Sequence, residues 1–170
     1  MAQHETTSSS RYRSISFWVA TFGGAGLSPV MPGTVGSAAS LLVWAPLIFA
    51  EAPLALRAAV IACGFLLGVP TSARAAKMLG TDDPGAVVID EVAGQGLALL
   101  LCGPNVMSVL VGFLLFRIFD ILKPWPVRVA DRWHGGFGIM ADDIAAGAYA
   151  LMGLMVWQRY VLPALPFAEG

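Results

Sequence analysis

Long runs without a single charged residue set the terms on which this chain can fold: residues 14–50, 58–73, 92–116 and 144–158 contain no Asp, Glu, Lys or Arg. With 57% of its 170 residues hydrophobic and 12% charged, and a mean hydropathy of +0.73, the sequence leaves ordinary soluble usage for the membrane class. Glycines and prolines interrupt the runs, so few reach the ~20 unbroken apolar residues of a clean spanning helix. The expected fold is all-α, a compact membrane-embedded bundle of about five or six helices, some short or re-entrant. Residues 1–14 read as a polar N-terminal tail, 15–160 as one membrane-embedded domain and 161–170 as a C-terminal tail. The opening MAQHETTSSSRYR is polar and then basic, with no small-residue cleavage site after a short apolar core, which is the pattern of a retained cytosolic tail.

Punctuation divides the domain. Residues 37–50 and 54–69 read as two helices around Glu51-Ala52-Pro53. Asp83-Pro84 is a helix-start signal, with the aspartate as N-cap and the proline at the first helical position, and predicts a helix through Asp90 and Glu91 to Cys102. Gly103-Pro104-Asn105 ends it; residues 106–123 form the next segment, broken by Lys123-Pro124-Trp125-Pro126. After Gly135-Gly136-Phe137-Gly138 the pair Asp142-Asp143 is expected to open a last helix over 144–160. Residues 15–32, rich in glycine and proline, are expected to lie along the interface.

Cytoplasmic loops carry the excess of Lys and Arg, which tests this layout. With the N-terminus inside and five crossings, the inner side receives Arg11, Arg13, Arg74, Lys77, Arg117, Lys123, Arg128 and Arg132, and the outer side only Arg57 and Arg159. The same topology puts Asp90-Glu91, Asp120 and Asp142-Asp143 on the inner side.

Carboxylates beside apolar runs are costly to keep near lipid, so they point to a held cation or proton. The bland alternative for Asp90 and Glu91 is a solvated helix end paired with Arg74 and Lys77. Neighbouring residues diverge by about 100° around a helix, so one of the two, or Asp90 with Gln95, is expected to face a shared site. Arg117, Asp120 and Lys123 recur every third residue, along one side of a helix, and suit either a phosphate clamp around a metal ligand or an interfacial ion pair with snorkelling cations. Asp142-Asp143 supplies one aspartate more than capping needs. Hard oxygen donors at all five positions fit Mg²⁺, whereas zinc prefers His and Cys. His134, beside Trp133, reads equally as an acid-base group or a structural hydrogen-bonding residue. The turn Pro32-Gly33-Thr34-Val35-Gly36-Ser37, ahead of the first helix, offers N–H groups and hydroxyls to a phosphate, or is simply a cap.

Net charge is −1 and no basic run is present, so nucleic acid is not expected as a partner. Cys63 and Cys102 lie in apolar segments outside any CxxC pair and read as small buried hydrophobes. The sequence lacks the DxDx[TV] signature of aspartate-nucleophile phosphatases, the arginine-histidine motifs of phosphohistidine lipid phosphatases and the DGxxAR pattern of CDP-alcohol phosphotransferases.

SPVMPGTVGS (28–37), DPGAVVIDEVAGQ (83–95), FRIFDILKPWPVR (core 117–128) and DRWHGGFGIMADDIAAG (131–147) occur in order and together resemble the phosphatidylglycerophosphatase A family, over about residues 22–153. The resemblance implies Mg²⁺-dependent hydrolysis of phosphatidylglycerophosphate to phosphatidylglycerol and phosphate, by a multi-pass protein of the bacterial cytoplasmic membrane whose partners are that substrate and membrane lipids. It places Asp90, Glu91, Asp120, Asp142 and Asp143 at the metal and catalytic centre, with Arg117 and Lys123 at the phosphate; Thr34, Ser37 and His134 are further candidates there. The expected mechanism is direct attack by water, with Asp90 or Glu91 as base, and an aspartyl-phosphate route as its rival. The competing class is a small ion-handling membrane protein, which would need acids spread across the bilayer depth instead of gathered at one face.

Overall fold

The computed structural model describes residues 14–125, 127–130 and 133–165. The expected tail up to residue 13, with Arg11 and Arg13, lies outside the described residues, as do Arg132 and residues 166–170. All regular structure among the described residues is helical: α1 Ile15–Ala20, α2 Pro32–Phe49, α3 Leu54–Leu79, α4 Ile89–Ala98, α5 Val106–Leu122, α6 Val127–Ala130 and α7 Gly135–Val156, with short turns at Ala25–Leu27 and from Trp157 to Ala164. An all-helical chain keeps its backbone N–H and C=O groups satisfied within each segment, as hydrocarbon surroundings demand.

Local chemistry sets the boundaries, and several of them differ from the sequence reading. Helix α2 begins at Pro32, not Ser37, because Met31 turns the chain at φ 48° and proline is preset for the first helical position. The PGTVGS stretch is therefore the first turn of the helix and not a loop ahead of it. Helix α3 runs ten residues past Val69, through Pro70, to a left-handed Gly80 at φ 73°. There Thr71 Oγ1 donates to the carbonyls of Leu67 and Gly68, at 2.7 and 3.1 Å, around the turn that the proline interrupts. Asp83-Pro84 does not start α4: the Val88 N–H bonds the Ala20 carbonyl at 2.9 Å, tying this segment to the end of α1, and the helix begins only at Ile89. Helix α7 begins at Gly135, so Asp142 and Asp143 lie two turns inside it instead of capping it. Its glycines serve packing, since a Cβ at Gly136 would collide with the Val69 carbonyl. Helix α5 follows the expectation closely, from its Asn105 cap, which accepts from Ser108 N–H at 2.9 Å, to Lys123.

Three segments are long and apolar enough to cross a membrane: Pro32–Phe49, Leu54–Leu79 and Gly135–Ala164. Helix α5, at 17 residues, extends ~25 Å. Helix α4 has ten residues and spans ~15 Å, about half the hydrocarbon thickness, so it does not cross by itself. It is instead the buried centre of the bundle. Nine of its ten residues are buried, and α2, α3, α5 and α7 pack around it. The closest crossing is with α7, where a Cβ on Gly94 would lie 2.6 Å from the Asp143 carbonyl and one on Gly147 would strike the Gly94 carbonyl. Trp44 of α2 fills the space over Gly96 and donates its indole N–H to the Val92 carbonyl at 2.9 Å.

The contacts at the ends of α2, α3, α4, α5 and α7 define two ends of the bundle. At one, Arg57 donates to the carbonyls of Cys102 and Leu100, at 2.7 and 3.5 Å, and Gln158 donates to that of Leu101 at 3.2 Å. At the other stand the acids. Between them the outward faces are apolar, with Leu42, Leu66, Leu114, Ile118 and Val156 exposed, as suits a membrane protein. Cys102 is buried, but Cys63 is exposed on the outer side of α3, against the expectation of two buried thiols.

Candidate active site

Four helices bring their polar residues to one end of this apolar bundle. Helix α4 contributes Asp90 and Glu91 in its first turn, where Asp90 Oδ1 accepts the Glu91 N–H at 3.1 Å. Helix α5 contributes Arg117 and Asp120, α7 contributes Asp142 and Asp143, and α2 contributes its N-terminal turn. Asp90, Glu91, Asp142 and Asp143 are all buried, and Asp120 is half-buried.

Arg117 is the hub. Its guanidinium pairs with Asp120 Oδ2 at 2.6 Å, stands 4.0 Å from Glu91 Oε1, and donates to Ser37 Oγ at 3.2 Å, so one side chain joins α2, α4 and α5. The spacing of Arg117, Asp120 and Lys123 suggested two cations flanking one acid. Instead Lys123 leaves the helix in a left-handed conformation at φ 43° and reaches Asp142 on α7 at 2.7 Å, so each cation holds a different aspartate. Arg74, weighed above as a partner for Asp90 and Glu91, donates to Ser16 Oγ.

Two groups of carboxylates result. Asp90, Glu91 and Asp143 each offer an oxygen within 4.8 Å of the others, and so do Asp120, Asp142 and Asp143. Among the described residues Glu91 Oε2 and Asp143 Oδ2 are buried without a hydrogen-bond partner, an arrangement that is costly unless a cation or proton completes it. Burial, reinforced by the charge of Glu91, pushes the Asp90 carboxyl well above its usual range. Burial likewise raises Glu91 to about 8, although the hydrogen bond with Asp90 and the charge of Arg117 oppose it. An all-oxygen donor set of this kind fits a hard divalent cation.

Serine and glycine at the start of α2 complete one wall. Ser37 accepts from Arg117 and donates to the Gly33 carbonyl at 2.9 Å. Gly33 allows the close approach: a Cβ there would meet Glu91 Oε1 and lie 3.3 Å from the Arg117 guanidinium. Thr34 follows Gly33 in that turn, half-buried. The first N–H groups of a helix lack acceptors inside it, so this turn faces the acids as a donor end. His134 is exposed, at the start of α7. It lines a cavity of about 360 Å³ together with Asp82, Asp83, Trp133 and Asp142. Trp133 also lines an adjoining apolar groove of about 400 Å³, with Phe65, Phe137 and Ile144.

Sequence reasoning reached Gly33 only as part of a glycine-rich turn ahead of the helix, and it missed Asp82 and Asp83. The two aspartates carried no distinguishing signal, since Asp83 had been spent on a helix cap.

The family model described as Phosphatidylglycerophosphatase A matches residues 18–158. A protein of Escherichia coli (strain K12) named phosphatidylglycerophosphatase A is 40% identical over 151 residues, 86% of this chain and 87% of that one. One of the same name from Haemophilus influenzae is 36% identical over 82% of this chain and 86% of its own length. A Bacteroides thetaiotaomicron protein named putative phosphatidylinositol-3-phosphatase is 36% identical over 82% of this chain and 90% of its own. No solved structure matches the chain.

Proposed function

The chain belongs to the phosphatidylglycerophosphatase A family, and from that premise we propose that it hydrolyses phosphatidylglycerophosphate to phosphatidylglycerol and inorganic phosphate, with Mg²⁺ at the carboxylate cluster. The observation that carries this reading is the convergence of five carboxylates, Arg117, Lys123 and the start of α2 at one end of an apolar bundle.

The residues divide the work as follows. Arg117 and Lys123 attract the phosphomonoester, and Ser37 with the N–H groups of Gly33 and Thr34 orients its oxygens. The carboxylates of Asp90, Glu91, Asp120, Asp142 and Asp143 would hold Mg²⁺, which when bound supplies positive charge against the phosphate oxygens. Asp90 or Glu91 takes a proton from the attacking water. Water attacks phosphorus, the bond from phosphorus to the glycerol oxygen breaks, and that oxygen takes up the proton held by Asp90 or Glu91, so that phosphate and the lipid alcohol leave and the carboxylate is restored. His134, on the wall of the 360 Å³ cavity, faces the head group, while an acyl chain follows Trp133 into the groove beside Phe65 and Ile144. The membrane is the bacterial cytoplasmic membrane, with the acidic end inward, because Arg74, Lys77, Arg117, Lys123 and Arg128 belong to that end.

Phosphate release by the purified protein in detergent micelles tests this. Four substrates are compared, with Mg²⁺ and with EDTA: phosphatidylglycerophosphate, phosphatidic acid, phosphatidylinositol 3-phosphate and a soluble phosphomonoester. Mg²⁺-dependent release confined to the first is the expected result. Preferred release from phosphatidylinositol 3-phosphate, the head group in the name of the Bacteroides relative, would reassign the substrate, and release undiminished by EDTA would remove the metal.

A further inference from the structure

Asp143 belongs to both carboxylate groups at once. From this sharing we infer that the site takes two divalent cations side by side, one held by Asp90, Glu91 and Asp143, the other by Asp120, Asp142 and Asp143, with the Asp143 carboxylate bridging them. The inference rests on the phosphatase reading and gives its metal centre a number and a division of ligands.

Three observations lead there. A single carboxylate carries two oxygens, and Asp143, 3% exposed, is held deep enough to serve both groups, with its Oδ2 unpartnered. The first group carries a second buried, unpartnered oxygen, Glu91 Oε2, on a residue 8% exposed. The charges also ask for two ions. With all five carboxylates ionised, as cation ligands are, Arg117 and Lys123 offset two and leave three negative charges in a buried setting; a phosphomonoester brings about two more. One divalent ion would still leave three negative charges uncompensated, whereas two leave one. Paired ions about 3.5–4 Å apart are a recurring solution for displacement at phosphorus, clamping the attacking and leaving oxygens.

The two positions are not equivalent. Both protein cations contact the second group, Arg117 at Asp120 and Lys123 at Asp142, while among the described residues the first is approached by Arg117 alone, at 4.0 Å from Glu91. Repulsion from the ammonium and guanidinium therefore weakens the second position, and the Asp90–Glu91–Asp143 position fills first.

Mn²⁺, a spectroscopic stand-in for Mg²⁺, tests this with the full chain in detergent micelles, by titration followed with electron paramagnetic resonance. Two Mn²⁺ per chain are expected, the second at least ~10-fold weaker, with spin coupling appearing as it fills. Glu91→Gln is expected to reduce the count to one. One Mn²⁺ per chain in the wild type, two uncoupled ions, or none would each overturn the inference, and these results need no variant. Phosphate release is measured on the same sample with the four substrates above. One bound ion with full release from phosphatidylglycerophosphate overturns the bridge and leaves the phosphatase reading intact; two coupled ions with no release from any substrate sustain the bridge and overturn the phosphatase reading.

Discussion

At the scale of single residues, the site is a set of charges kept where charge is unfavourable. Glu91 illustrates the consequence for stability. Burial raises its carboxyl to about 8 from an ordinary value of 4.5, so the folded, cation-free protein holds a proton that the unfolded chain has released. A raised acid contributes fully below its unfolded value and loses that contribution as pH rises through the folded one. The melting temperature of cation-free protein in detergent is therefore expected to fall between about pH 5 and 8, and Glu91→Gln is expected to flatten that slope while lowering phosphate release by ~10²–10⁴. A parallel slope in both proteins, or near-normal turnover in the variant, would take Glu91 out of this role. Residue types were legible in the sequence: all five acids and both cations named from it converge in space. Their pairing was not, because Lys123 leaves the helical face on which its spacing placed it.

At the scale of elements, α4 decides the architecture. It is too short to span, so it is held by its neighbours: by Gly94 against α7, by Trp44 from α2, and at its far end by Arg57, which occupies the carbonyls of Leu100 and Cys102. The charge count identified Arg57 as one of two outer cations, yet it is buried and closes the end of α4. Arg57→Met leaves those carbonyls without their donor and is expected to cost about 1–3 kcal/mol, read as a lowered melting temperature, with the rate per folded enzyme unchanged. A fall in that rate at unchanged stability would mean that the far end of α4 bears on the chemistry. Helix existence was legible from apolar runs and punctuation, while the starts of α2, α4 and α7 each moved by several residues. Asp83-Pro84 and Asp142-Asp143 look like caps locally, but a bond to the Ala20 carbonyl and packing against Val69 override them.

At the scale of the whole molecule, alternating helices put the acids at one end and Arg57, the Gly103–Asn105 turn and the close of α7 at the other. With Cys63 and Cys102 replaced by alanine, an impermeant thiol reagent is expected to label Thr81→Cys only from the cytoplasmic face and Ala52→Cys only from the opposite one; labelling of both from one face would break the alternation. The sequence by itself determined that the chain is helical, suited to a membrane, and carries five acids of one site, because apolar run length and motif order are properties of the chain read along its length. Only the tertiary structure decided that Gly33 meets Glu91 and Arg117, that Lys123 pairs with Asp142, and that Asp143 belongs to two groups at once. Those contacts join residues 19 to 84 positions apart. They depend on how closely helices approach, through Gly33 at Glu91 and through Gly94 and Gly147 between α4 and α7, distances that no local pattern encodes.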